Sequence, residues 1–175
     1  MENKTNEQKR ILVIEDKLIH QESAKELLKN HDLTIVNTFE GYLEKMYGVY
    51  HKKIQSFEVI LSDLSFPWCN EGNTYDFRQE THLGYTVPFH SAIYSIPYCA
   101  IYTDTDHHDG PIAETFEHFE TYEANPPVFQ INKTRFMFFD SDSFDTRDSK
   151  AKRWDLALGS LLAGKNVYLK KRMIK

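Results

Sequence analysis

Hydrophobic and polar positions alternate in blocks along this chain, and the block lengths predict its elements. Ile11-Leu12-Val13-Ile14 is a run of four aliphatic residues without alternation, as in a strand buried on both faces. A helix is predicted over Ile19–Asn30, where Ala24, Leu27 and Leu28 share a face. Leu33–Val36 reads as a second strand. Leu43, Met46, Tyr47, Tyr50 and Ile54 then recur at helical spacing, and Phe57–Leu61 is a third apolar strand. A long polar loop is expected over Trp68–Glu80. The helix predicted over Leu83–Ser95 has an irregular first half because of Pro88. Tyr98–Tyr102 is a fourth strand, a turn follows over Asp104–Gly110, and Ile112, Phe116 and Phe119 mark another helix. Val128–Ile131 and Phe136–Phe139 are strand-like and flank a hairpin turn at Asn132–Arg135. Trp154, Ala157, Leu158, Leu161 and Leu162 define a last helix, which Gly164 ends.

Strands alternating with helices at this spacing predict parallel βαβ units with right-handed crossovers. In such sheets, function gathers at the carboxyl ends of the strands. Glu15 and Asp16 follow the first strand, and Asp63 follows the third. These acids are expected to meet at one sheet edge.

Composition narrows the class. Among 175 residues, 41% are hydrophobic and 14% aromatic, which excludes a disordered chain. The net charge of −5 argues against a protein that coats nucleic acid. Two cysteines are too few for a disulfide framework, no apolar run reaches the length of a membrane span, and Met1–Arg10 is not signal-like. A single soluble, cytoplasmic domain over residues 1–175 is expected.

The sequence resembles the receiver domain of two-component response regulators, the CheY-like family. The resemblance rests on Ile11-Leu12-Val13-Ile14-Glu15-Asp16, on Val59-Ile60-Leu61-Ser62-Asp63-Leu64-Ser65-Phe66-Pro67 and on Ala100-Ile101-Tyr102-Thr103. It implies an α/β, doubly wound, flavodoxin/CheY-like fold with a five-stranded parallel sheet. An insertion follows strand 3, and an extra hairpin strand lies near strand 5. It further implies Asp63 as phosphoacceptor, and Mg2+ held by Glu15, Asp16, Asp63 and the backbone carbonyl of Ser65. Thr103 would bond the arriving phosphoryl group. The family's lysine is assigned to Lys133 by its separation from Thr103, with Val128–Ile131 as the fifth strand. The competing choice, Phe136–Phe139, would put Asp140 in that place. Implied partners are a histidine kinase or phosphotransfer protein and a downstream protein, with a homodimer left open. Neither a membrane nor nucleic acid is expected as a partner.

Three acids at one edge repel one another unless a cation lies among them, and a hard divalent ion suits oxygen ligands. Two other functions stay open at this point. One is a non-phosphorylated pseudo-receiver acting as an interaction module; the other is a small Mg-dependent phosphohydrolase. His107-His108 amid Asp104, Asp106 and Asp109 could also supply metal ligands, though a loop bordering the acidic pocket is the simpler reading.

Overall fold

The structure, a computed structural model, describes residues 7–69, 82–104, 127–140, 143–144 and 150–165. Four strands carry the sequence pattern directly: β1 (Arg10–Ile14), β2 (Asp32–Val36), β3 (Val59–Ser62) and β4 (Tyr98–Tyr102). β5 (Phe129–Ile131) and β6 (Thr134–Phe139) complete one six-stranded sheet in the order β2-β1-β3-β4-β6-β5. The first five positions pair in parallel, and β5 lies antiparallel on the outer edge of β6. This strand order is that of the flavodoxin-like doubly wound fold.

Helices cover both faces. α1 is Leu18–Leu27, α2 is Phe39–Tyr50, α3 is Val87–Ile93 and α4 is Trp154–Ala163. Side-chain alternation along each strand divides the core. Leu12, Ile14, Ile60, Cys99, Ile101, Phe136 and Phe138 pack with Tyr42, Met46 and Val87 of α2 and α3. Ile11, Val13, Leu61, Ala100, Met137 and Phe139 pack with Ala24 of α1 and with Trp154, Leu158 and Leu161 of α4. A strand apolar at consecutive positions is therefore apolar toward both layers.

Helix ends follow local chemistry. Thr38 caps α2 by accepting a hydrogen bond from the Gly41 amide at 3.1 Å, which starts the helix four residues before the first apolar position read at helical spacing. Leu83–Thr86 forms a 3-10 turn, and Pro88 falls in the first turn of α3, where its missing N–H is harmless. Gly164 ends α4 in the left-handed region, at φ 69°.

One strand assignment is corrected. β6, and not Val128–Ile131, is the fifth parallel strand. A strand beside β4 is covered on both faces, and only β6 has the apolar residues for that place: five of its six residues are buried, whereas Phe129, Gln130 and Ile131 of β5 are half-buried or exposed. The Trp68–Glu80 loop beyond residue 69, the helix read at Ile112–Phe119 and the His107-His108 pair lie outside the described residues. Among the described residues, no helix is long and apolar enough to cross a membrane.

Candidate acidic and cationic site at the carboxyl edge of the sheet

Parallel register builds the site. Ile14 pairs with Ser62, Ser62 with Ile101, and Tyr102 with Phe139, so these strands end at nearly one level. Each ladder also runs one residue further. The Asp63 amide donates to the Ile14 carbonyl at 2.8 Å, and the Thr103 amide donates to the Phe139 carbonyl at 2.9 Å. Glu15, Asp63, Thr103 and Asp140 therefore stand in a row, all buried.

The structure brings Glu15, Asp16 and Asp63 together: one ligand oxygen from each lies within 4.8 Å of the others. Glu15 Oε1 accepts from the Lys17 amide at 3.0 Å, and Asp63 Oδ1 accepts from the Leu64 amide at 2.6 Å. Asp16 Oδ1 is buried with no hydrogen-bond partner. An orphaned carboxylate oxygen beside two buried carboxylates is the donor set a hard divalent cation requires. Glu15, Asp16 and Asp63 would supply its oxygen ligands.

Lys152 is the residue that sequence reading missed. Its Nζ donates to Glu15 Oε2 at 2.7 Å and lies 2.9 Å from Asp63 Oδ1, with the side chain only 2% exposed. The rings of Trp154 and Tyr102 flank the ammonium, at 5.3 and 6.0 Å to their centroids. Lys133 lies elsewhere. It occupies the β5–β6 turn, before the first residue of β6, and parallel pairing of β6 with β4 sets that turn at the opposite edge of the sheet. Lys133 is thus corrected to an exposed hairpin residue. A strand of six residues separates it from the carboxyl edge.

The pocket is electrically underbalanced. Two buried carboxylates share one ammonium, and Asp16 adds a third negative group. Burial pushes Glu15 up to about 7, Lys152 opposes the rise, and the Asp63 charge adds to it. Burial likewise raises Asp63 above the ordinary carboxylate range, against the pull of Lys152. Asp104 goes the other way. The hydrogen bond from His20, with Lys152 and Lys17 nearby, holds it well below its usual value. Lys17 Nζ reaches Asp104 at 2.9 Å, and Lys152 Nζ lies 4.0 Å from it.

Ser65 is buried two residues past Asp63, and its hydroxyl is 2.7 Å from His82 Nδ1. The carbonyl, for which the ligand role was expected, is not used by that contact. Gly84 packs directly on this loop: its amide donates to the Leu64 carbonyl at 2.9 Å, and a Cβ there would strike the Asp63 carbonyl oxygen and stand 2.7 Å from Leu64 Cα. Glycine is required by this close approach.

No family model and no curated protein matches the sequence significantly. Among solved structures, the chain is similar to the Mn2+-bound form of response regulator Rcp1, with 18% identity over 80% of this chain and 85% of that chain, at a TM-score of 0.45.

Proposed function

We propose that this protein is a receiver-type signalling protein that accepts a phosphoryl group on Asp63. The observation that carries the reading is the convergence of Glu15, Asp16, Asp63 and Lys152 at the carboxyl edge of a sheet ordered β2-β1-β3-β4-β6. An oxygen of Asp63 attacks phosphorus, the bond from phosphorus to the donor's leaving group breaks, and an aspartyl phosphate results. Lys152 pairs with oxygens of the transferred group, and Thr103 donates its hydroxyl to one of them. A bound Mg2+ supplies neutralisation of the charge on those oxygens.

Glu15, Asp16 and Asp63 would hold that ion, with the Ser65 carbonyl as a further oxygen. The donor would be a histidine kinase or phosphotransfer protein, and output would pass through contact with a downstream protein. Absence of a lysine would have favoured a non-phosphorylated interaction module; Lys152 supplies one.

Beryllofluoride, which binds receiver carboxylates as a phosphoryl mimic, tests the reading. With Mg2+ present, 19F NMR should show a bound signal in the wild type that is absent from Asp63→Asn. A wild-type protein that is folded and binds Mg2+ but gives no bound signal would refute the reading.

A further inference from the structure

His20 is buried at 3% exposure in the first turn of α1, although its neighbours Leu18 and Ile19 face solvent. A shielded imidazole needs partners at both ring nitrogens. Here Nδ1 lies 3.2 Å from the backbone nitrogen of Lys152, and Nε2 lies 3.1 Å from Asp104 Oδ2. An amide N–H can only donate, so Nδ1 is the acceptor. The ring proton therefore resides on Nε2 and is donated to the Asp104 carboxylate.

Two more bonds fasten the same segment to α1. Ser23 donates its hydroxyl to the Lys152 carbonyl at 2.7 Å, and Trp154 Nε1 donates to the His20 carbonyl at 3.0 Å. The peptide groups on both sides of Lys152 Cα are thus held by one helix. The Trp154 and Tyr102 rings flank the ammonium at the far end of the side chain, at 5.3 and 6.0 Å to their centroids. What fixes where the stem begins is its backbone, and the backbone N–H belongs to His20.

We propose that His20 is a positioning residue of the phosphoryl-transfer site: its imidazole joins the Lys152 amide to Asp104 and so directs the lysine ammonium between Glu15 and Asp63. Asp104 follows Thr103, so the same ring ties the lysine to the end of β4. The role in transfer rests on the receiver reading above; the geometry does not.

The test compares the full-length wild type with His20→Leu and His20→Gln. Leucine fills the space without polar atoms, whereas glutamine offers one acceptor and one donor. With Mg2+ and a small acyl phosphate, His20→Leu should be modified about tenfold more slowly, the scale of one lost hydrogen bond to a charged group. His20→Gln should recover most of that rate. Hydrogen exchange adds a readout independent of phosphorylation. The Lys152 amide should lose protection in His20→Leu and keep it in His20→Gln.

Equal rates in all three proteins, or equal slowing in both variants, would overturn the proposal. If the wild type is not modified at all, the receiver reading fails, and exchange at the Lys152 amide alone decides the positioning: protection unchanged in His20→Leu overturns it.

Discussion

Lys152 is the residue on which the charge balance of the pocket turns. With its ammonium removed, Glu15 and Asp63 face each other in a buried site, and loss of one partner from a buried pair costs about 3–5 kcal/mol. Lys152→Met should lower unfolding stability on that scale in urea titrations without divalent cation, and Mg2+ should restore part of the loss. Lys133→Met should leave stability within about 0.5 kcal/mol, as for an exposed side chain. The raised Glu15 gives a pH signature. Its unfolded value is near 4.5 and its folded value is about 7, so between them the folded state binds more protons. Without divalent cation, this group makes stability fall as pH rises from about 4.5 to about 7. A divalent ion competes with that proton. Mg2+ affinity, measured by calorimetry, should therefore weaken as pH drops below about 7, with proton release on binding.

At the scale of elements, the strands that Glu15, Asp63 and Thr103 follow were legible because each is a continuous apolar run with a polar residue after it. Strand ends in a parallel sheet align by register, so the residues that follow three strands stand together at one edge. Separation along the chain favours Val128–Ile131 as the fifth strand, but burial decides the order in favour of β6. Phe136–Phe139 has the apolar content of a central strand, and the hairpin simply precedes it. Lys152 was hidden for a related reason: it does not follow its strand directly, and β6 ends at Phe139. Its neighbourhood held the clue, since Lys152 stands just before Trp154, the anchor of the last helix. Gly84 was likewise invisible to periodicity, because its role is a close approach between the 3-10 turn and the Asp63 loop. Gly84→Ala should destabilise the fold by about 1–3 kcal/mol, as for overpacking, and weaken Mg2+ binding in parallel. Trp154→Phe keeps the aromatic wall but loses the bond to the His20 carbonyl, and should cost about 1 kcal/mol by chemical denaturation.

Across the whole molecule, a doubly wound sheet sets one acidic and cationic site at its carboxyl edge, with α1 and α4 on one face of the sheet and α2 and α3 on the other. α1 and α4 share that site: His20 and Ser23 hold the Lys152 backbone, and Trp154 packs beside its ammonium. A phosphoryl group arriving at Asp63 would draw Lys152 toward it, and that pull would act on the β4 end through His20 and Asp104. The most direct measurement is the intact mass of the protein after incubation with Mg2+ and a small acyl phosphate. One phosphoryl group should be gained by the wild type and by Lys133→Ala, very little by Lys152→Ala and none by Asp63→Asn. An adduct that persists in Asp63→Asn, or a rate that depends on Lys133 and ignores Lys152, would contradict the account.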